Sequence, residues 1–290
     1  MNETAPEISI VIPMKDEAAT IGAVIDAITH AMKGLEGKYE IIAVDDGSVD
    51  GSADLALKSG ARVVSHEAGK GYGAALKTGI DNALYGIIVI IDGDGTYPPE
   101  RIPDIIDGLS SADMVVGARL NAGAAVPVMR RPAKWFLTKL ASFLSGFNIL
   151  DLNSGLRAFR RDVALSYLGV LPDRFSFTST ITLLMIGDRL KIKYIPIDYY
   201  KREGRSKIVP SDAFSFLVLI IRTIMFFNPL KIFFPVGLVL LILGGGKLLT
   251  DYIIYDRLSG TPILFILTAI QLWGLGFLAE LLLFLERRRK

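Results

Sequence analysis

Short apolar runs alternate with amphipathic stretches up to about Pro210. The β-branched run Glu7–Pro13 predicts a buried strand, and the apolar positions of Thr20–Lys33 share one face of a predicted helix. The same reasoning predicts further strands at Tyr39–Val44, Arg62–Ser65, Gly86–Ile91, Met114–Gly117 and Ile192–Tyr199. It predicts further helices at Gly51–Lys58, Lys70–Leu84, Arg131–Gly146 and after Pro98-Pro99. Such alternation predicts an α/β fold with a mostly parallel, doubly wound sheet, in which ligands bind beyond the carboxyl ends of the strands.

The C-terminal part is far more apolar than the rest. Phe214–Phe227 is predicted to lie in a membrane interface. Ile232–Leu249 and Pro262–Leu285 are predicted to span the membrane, whose hydrocarbon core is about 30 Å thick. The predicted organisation is a globular domain over residues 1–210, a juxtamembrane segment over 211–231 and a two-span region with a basic tail over 232–290.

Basic residues flank the predicted spans on one side. Arg222 and Lys231 precede the first span and Arg287–Lys290 follow the second, whereas the connecting loop has no such excess. Because cytoplasmic flanks are positive, we expect an integral membrane protein (of the cell membrane in a prokaryote) whose two termini and N-terminal domain are cytoplasmic. The first residues lack the basic and long apolar regions of a signal peptide. Small residues in both spans favour helix packing, either within one chain or between chains of a homo-oligomer.

Composition excludes several classes of function. Hydrophobic residues make up 51% of the chain, mean hydropathy is +0.43, and the excess lies at the C-terminal end. A net charge of +2 is too small to indicate a nucleic-acid partner. The absence of cysteine excludes disulfides, thiolate zinc sites and cysteine nucleophiles. His30 and His66 are the only histidines, which disfavours a histidine metal site or a Ser-His-Asp triad.

Two carboxylates, Asp92 and Asp94, follow a very apolar predicted strand. At a strand end, carboxylates two positions apart can share one Mg²⁺ or Mn²⁺, since these ions prefer oxygen ligands and substrate phosphates. The cation would act as a Lewis acid and neutralise a diphosphate leaving group. The alternative is a plain Asp-Gly turn.

Acidic residues also end the second predicted strand. Asp45 and Asp46 are placed to accept hydrogen bonds from a ribose or a base edge. The alternative is helix capping by Asp50 or Ser48, which does not explain Asp45 and Asp46 together. The glycine-rich run Gly69–Ala74 resembles a phosphate loop but lacks the P-loop spacing, and the first strand is not followed by a dinucleotide-binding turn. A close approach of the glycine backbone to a nucleotide stays open.

Seven motifs occur in one order: Val11-Ile12-Pro13 with Asp16-Glu17, Asp45-Asp46-Gly47-Ser48 with Asp50, Gly69-Lys70-Gly71 with Gly73, Asp92 and Asp94 with Pro98-Pro99-Glu100, Gly117-Ala118-Arg119, Asn153-Ser154-Gly155, and Arg202 with Gly204 and Ser206-Lys207. This order resembles glycosyltransferase family 2, in the polyprenyl-phosphate branch that contains the dolichyl-phosphate mannose synthases. The resemblance covers about residues 7 to 210.

The resemblance implies a GT-A fold, a divalent metal and inversion of the anomeric centre. It implies nucleotide-sugar contacts for Pro13, Glu17, Asp45, Asp46, Lys70 and Asp92. It also implies that Asp92 and Asp94, the second of them catalytic, hold Mg²⁺ or Mn²⁺. Thr96 stands where many relatives have a glutamine that helps to coordinate the metal, so it is the candidate third ligand.

For the acceptor, the resemblance implies that the lipid phosphate is received by Arg119, Arg130 and Arg131, which fits the bidentate guanidinium–phosphate geometry. The alternative for Arg130 and Arg131 is contact with anionic headgroups. Three more candidates, Arg202, Ser206 and Lys207, precede the membrane segments, where Lys207 would serve equally as an anchor.

Asp151, just before the Asn153-Ser154-Gly155 motif, either positions the nucleophile, acts as a base or caps a turn. A phosphate monoester has a second pKa of about 6 and needs no strong base.

The expected function is transfer of a hexose or N-acetylhexosamine from a nucleotide-sugar to a polyprenyl phosphate, with inversion. The Asp-Gly-Asp-Gly-Thr-Tyr variant favours a UDP-sugar over GDP-mannose. The alternatives are transfer to a glycolipid hydroxyl and a non-catalytic membrane scaffold on the same fold.

Overall fold

A computed structural model of the protein describes residues 6–120, 142, 149–174, 176–200, 225, 228–255 and 259–289. The chain divides into two compact units, one formed by residues 1–139 and 148–216 and the other by 140–147 and 217–290. The predicted helix over Arg131–Gly146, apart from Ser142, and most of the predicted interfacial segment lie outside the described residues. The predicted domain boundary at residue 210 falls there too and stays a prediction.

The first unit contains a seven-stranded sheet. Its strands are β1 (Glu7–Met14), β2 (Lys38–Asp45), β3 (Arg62–Ser65), β4 (Ile87–Ile90), β5 (Met114–Ala118), β6 (Arg157–Arg160) and β7 (Ile192–Pro196). Its α-helices within the described ranges are α1 (Ile21–Met32), α2 (Ser52–Lys58), α3 (Tyr72–Asp81), α4 (Ile102–Asp107), α5 (Arg161–Tyr167) and α6 (Phe177–Gly187).

The strand order is β3-β2-β1-β4-β6-β5-β7. All neighbouring pairs are parallel except those made by β6, which runs antiparallel to both β4 and β5. The predicted mostly parallel α/β sheet is therefore confirmed. The sequence pattern did not predict β6, α5 or α6. For β6 the reason is that this short strand begins and ends with arginine and so has no apolar signature.

Helices cover both faces of the sheet, so β1 is buried on both of its sides. Ile10 and Ile12 face the cluster that contains α1 and α4, whereas Val11 faces the cluster that contains α3 and α6. The buried positions of α1 are those that its periodicity predicts: Ile21, Val24, Ile25, Ile28 and Met32. Each fully buried isoleucine contributes roughly 1.5–3 kcal/mol.

The strand directions bring the polar motifs to one edge. Because β1, β2 and β4 are parallel, their carboxyl ends lie side by side, and β5 points the same way as β4 since both oppose β6. Asp45 ends β2, Asp92 follows β4 and Arg119 follows β5. The predicted candidate residues of these loops thus share the carboxyl edge of the sheet.

The second unit contains a hairpin of two long helices, α7 (Leu230–Tyr255) and α8 (Gly260–Arg289). Their stretches of 25 and 26 residues are long and apolar enough to cross a membrane, as predicted, with somewhat wider bounds. The helices pack where the Phe234 and Trp273 rings stack at 5.2 Å and the Trp273 indole donates to the Phe234 carbonyl at 3.1 Å. Near the connection, buried Asp251 accepts hydrogen bonds from Lys247 and Ser259.

Candidate active site

The carboxylate pair is oriented by neighbouring hydroxyl groups. Asp92 Oδ1 accepts a hydrogen bond of 2.8 Å from the Tyr72 hydroxyl, and Asp94 Oδ1 accepts one of 2.6 Å from the Thr96 hydroxyl. The Thr96 amide also donates to Asp94 Oδ1, at 3.1 Å. Gly95 between them has φ +72°, a conformation that glycine adopts without strain. The carboxylate oxygens of Asp92 and Asp94 fit Mg²⁺ or Mn²⁺, the ions predicted for these residues.

No cluster of three or more histidine or acidic side chains suited to a metal ion occurs within the described ranges. A cation held by Asp92 and Asp94 would therefore complete its coordination with phosphate oxygens and water, as Mg²⁺ does in phosphoryl sites. Thr96, the predicted third ligand, is fully buried, and its hydroxyl donates a hydrogen bond to Asp94. Its role as a ligand stays a prediction, whereas its contact with Asp94 is direct.

The Asn153-Ser154-Gly155 turn lies directly beside Asp92. The Gly155 amide donates to the Tyr97 hydroxyl at 2.7 Å, and a side chain at Gly155 would collide with the Asp92 carboxylate. The Ser154 hydroxyl donates to the Gly117 carbonyl at 2.5 Å. The turn therefore joins the end of β5 to the carboxylate pair. It needs glycine at its third position because a side chain there would collide with Asp92.

Arg119 is held by a carboxylate and an aromatic ring. Its Nε donates to Asp151 Oδ2 at 2.7 Å, its Nη2 donates to Asp151 Oδ1 at 2.8 Å, and the guanidinium lies 5.2 Å from the centre of the Tyr199 ring. Tyr199 packs edge-on against Tyr97, at 5.3 Å. Burial opposes the charge, but Tyr97 and Asp151 outweigh it and raise the pKa of Arg119, so the group stays cationic. A fixed guanidinium fits an anionic acceptor.

Neighbouring groups of the protein donate hydrogen bonds to both Asp45 and Asp46. Asp45 accepts hydrogen bonds from the amide of Ser48, at 3.0 Å, and from its hydroxyl. Asp46 accepts from the amides of Lys70, at 2.8 Å, and Gly71, at 2.9 Å, and its Oδ1 lies 2.8 Å from His66 Nδ1. The predicted nucleoside contacts stay predictions, and the observed role of Asp46 is to fix the glycine-rich run.

The charge of Asp46 is stabilised within this network. Burial raises its pKa, but the contact with His66 and the two backbone amides outweigh burial and hold the pKa below its ordinary value. His66 Nε2 in turn lies 2.9 Å from the Thr78 hydroxyl on α3. The network therefore links the end of β2 to α3 through a buried histidine.

The loops after β1 and β2 are joined by hydrogen bonds. The amides of Asp16, Glu17 and Ala18 donate to Ser48, Ser52 and Asp50 at 2.9, 2.8 and 2.9 Å, respectively. Asp50 also accepts from the amide of Ser52, the first residue of α2, whereas the N-cap position of this helix is Gly51. Of the other predicted nucleotide-binding residues, Pro13 is buried within β1 and Lys70 is exposed beside the joined loops.

The glycine-rich run approaches protein backbone. A side chain at Gly71 would meet the Asp173 carbonyl, and one at Gly73 would meet the carbonyls of Pro172 and Arg174. The Ala74 amide donates to the Asp173 carbonyl at 3.0 Å. The close approach observed at these two glycines is therefore to the segment Pro172–Arg174, which the pattern analysis did not single out.

Arg157 on β6 is the largest group that sequence reasoning missed. Its side chain is fully buried, and it donates to the Ser154 and Thr178 carbonyls and to the Thr182 hydroxyl. Burial lowers its pKa, partly offset by the phenols of Tyr72 and Tyr97. Arg157 thereby fixes the turn beside Asp92 by its hydrogen bond to the Ser154 carbonyl. Its position two residues after Gly155 was the only feature of the sequence that could have indicated this role.

Five predicted acceptor residues lie outside the described residues: Arg130, Arg131, Arg202, Ser206 and Lys207. Their contacts with a lipid phosphate stay predictions. Among the predicted acceptor residues, the structure describes Arg119 and places it on the same edge as the carboxylate pair.

Known proteins share both parts of the chain. Residues 9–168 match Glycosyl transferase family 2, and residues 228–283 match the GtrB C-terminal hairpin. The chain is 32% identical over 212 residues to a dolichyl-phosphate hexose transferase of Haloferax volcanii, covering 71% of this chain and 89% of that protein. It is 28% identical over 290 residues to an undecaprenyl-phosphate 4-deoxy-4-formamido-L-arabinose transferase of Aeromonas hydrophila, covering 94% and 87%.

The fold of the first unit also occurs among solved structures. Glucosyl-3-phosphoglycerate synthase from Mycobacterium tuberculosis, solved with Mn²⁺, UDP and glucosyl-3-phosphoglycerate, has a TM-score of 0.60 at 24% identity, over 75% of this chain and 80% of that one. This likeness confirms the predicted GT-A fold. The family match over residues 9–168, more than half of the chain, shows that the chain belongs to glycosyl transferase family 2.

Proposed function

We propose that this membrane protein transfers a hexose or N-acetylhexosamine from a nucleotide-sugar to a polyprenyl phosphate, with inversion. The observation that carries the proposal is the arrangement on one edge of the sheet. The carboxylate pair Asp92 and Asp94, which suits a cation and its diphosphate, lies on this edge, and Arg119 lies on the same edge. Tyr97 lies between them, because its hydroxyl binds the Gly155 amide beside Asp92 and its ring contacts Tyr199 beneath Arg119.

Asp92 and Asp94 are the residues that would hold the divalent cation. When bound, the cation neutralises charge on the departing diphosphate. Arg119 binds the acceptor phosphate and orients it, held in turn by Asp151. One phosphate oxygen attacks the anomeric carbon while the bond from that carbon to the diphosphate oxygen breaks on the opposite face. Catalysis then consists mainly of positioning and charge stabilisation.

The acceptor phosphate needs no strong base, since it is largely dianionic at neutral pH. Asp151 fits this chemistry as a positioning residue because both of its oxygens bind Arg119. The names of the two polyprenyl-phosphate transferases to which the chain is similar support a lipid-phosphate acceptor.

Several finer points belong to the same proposal. We infer a UDP-sugar donor in preference to GDP-mannose, either Mg²⁺ or Mn²⁺ as the metal, and cytoplasmic orientation of both termini. We also infer that the hairpin formed by α7 and α8 anchors the protein in the membrane, where the long prenyl chain of the acceptor stays in lipid. Small residues in these helices also favour the association of two chains.

The test is sugar transfer by the purified full-length protein in detergent. Polyprenyl phosphate is supplied with UDP-glucose, UDP-N-acetylglucosamine or GDP-mannose, and with Mg²⁺ or Mn²⁺. The proposal expects a lipid-phosphate-sugar product that Asp94→Ala abolishes and that Asp104→Ala retains, because Asp104 is an exposed residue on α4. Product formed only on a glycolipid hydroxyl, or no metal-dependent turnover of any donor, would contradict it.

A further inference from the structure

Tyr72 joins two motifs that are distant in sequence. It is the first residue of α3 and lies within the glycine-rich run, and its hydroxyl donates to Asp92 Oδ1 at 2.8 Å. The contact spans 20 positions of the chain and links the run to the carboxylate pair. A phenol is a directional donor, so it restricts the rotation of the carboxylate it binds.

The backbone that carries Tyr72 is fixed on both sides. The amides of Lys70 and Gly71, immediately before it, bind Asp46. The amide of Ala74, two residues later, binds the Asp173 carbonyl at 3.0 Å. Because these contacts fix the start of α3, the phenol has a defined position from which to donate to Asp92.

The other side of Asp92 is equally restricted. Gly155 lies so close to the Asp92 carboxylate that a side chain there would collide with it. Asp92 is thus held between a phenol from α3 and the backbone of the Asn153-Ser154-Gly155 turn. Both neighbours restrict the orientation of the carboxylate.

We propose that Tyr72 is a positioning residue for the metal-binding carboxylate, which it holds in the orientation that binds the cation. The inference rests on the proposed function in that Asp92 is taken to hold the cation. Partners that hydrogen-bond to a metal ligand tune affinity, and their loss typically weakens metal binding 10- to 100-fold. A purely packing role is the alternative, since Tyr72 also packs against the core beside α3.

The variant Tyr72→Phe separates the two roles because it keeps the ring and removes the hydroxyl. Mn²⁺ binding to the full-length protein in detergent is measured from the electron paramagnetic resonance signal of free Mn²⁺, with and without UDP. We expect the dissociation constant for Mn²⁺ to rise about 10-fold. Tyr39→Phe is the matched control, because Tyr39 is an exposed tyrosine near the opposite end of β2 from Asp45.

Two further variants make the result decisive. Asp94→Asn should abolish Mn²⁺ binding, and if it does not, the metal site of the proposed function fails. If Asp94→Asn abolishes binding while Tyr72→Phe binds Mn²⁺ like the wild type, the positioning role is refuted and the proposed function stands. Should Tyr72→Phe lower the unfolding temperature, binding is compared at a temperature where both proteins are folded. Asp92→Asn should weaken Mn²⁺ binding at least as much as Tyr72→Phe does, and binding like the wild type in Asp92→Asn would overturn the proposal.

Discussion

Arg119 and Asp151 form a bidentate ion pair, with Nε–Oδ2 and Nη2–Oδ1 distances of 2.7 and 2.8 Å. The Arg119 amide adds a contact to Oδ2 at 3.1 Å, and the Asn153 amide adds one to Oδ1 at 3.2 Å. Both oxygens of Asp151 are therefore engaged by groups of the protein itself. This geometry orients a guanidinium and closes a turn, which favours the positioning and capping alternatives for Asp151 over the role of base.

The variant Asp151→Asn tests this assignment. It leaves buried Arg119 without its carboxylate, so we expect a loss of about 3 kcal/mol in the free energy of unfolding. We also expect kcat/KM for the lipid phosphate to fall about 100-fold, because the guanidinium is misplaced. Asp104→Asn is the control, since its ion pair with Arg101 is exposed and such pairs contribute under about 1 kcal/mol. Loss of the ascending limb of the pH–rate profile in Asp151→Asn would instead identify a base.

Thr96 offers a test of the metal site that uses two substitutions. Thr96→Val removes the hydroxyl that binds Asp94, so the Mn²⁺ concentration for half-maximal activity should rise about 10-fold. Thr96→Ser keeps the hydroxyl and should stay within about twofold of the wild type. The measurement is a Mn²⁺ titration of sugar transfer at saturating donor. A loss in Thr96→Ser without a loss in Thr96→Val would show that the methyl group, rather than the hydroxyl, matters at this buried position.

Gly73 is predicted to tolerate no side chain. Gly73→Ala would press a methyl group against the carbonyls of Pro172 and Arg174, which should lower the free energy of unfolding by about 1–3 kcal/mol. Gly86→Ala is the matched control, because open space surrounds its Cβ position and a change within about 0.5 kcal/mol is expected. Both are measured by thermal unfolding of the full-length protein in detergent. Similar losses at the two positions would contradict the packing explanation.

Much of the fold follows from periodicity alone. The buried face of α1 and the strand β1 were predictable because each buries a regular set of apolar side chains. The gathering of Asp45, Asp92 and Arg119 on one edge was predictable too, since parallel strands place their carboxyl ends together. Local patterns suffice wherever burial itself sets the pattern, on one face of α1 and on both faces of β1.

The remaining features depend on contacts between distant segments. Ala74 bonds to Asp173 across about one hundred residues, and no local signal in the glycine-rich run names that partner. Arg157 appears polar in sequence yet is fully buried, because carbonyls and a hydroxyl of its neighbours accept its hydrogen bonds. The hydrogen bond between Tyr72 and Asp92 cannot be predicted from the sequence either, since neither residue type specifies the other.

Asp46 should make stability depend on pH in the acidic range. His66 and the amides of Lys70 and Gly71 hold its pKa below the ordinary value despite burial. A carboxylate whose pKa is lower in the folded state stabilises the fold above its unfolded pKa, and that stabilisation is lost as pH falls below about 4. Asp46→Asn turns one acceptor into a donor that faces a backbone amide, so the variant should lose about 1–3 kcal/mol at pH 7. The difference between variant and wild type should shrink towards pH 3, as chemical unfolding in non-ionic detergent would measure. A difference that is the same at pH 7 and pH 3 would assign the effect to shape instead of charge.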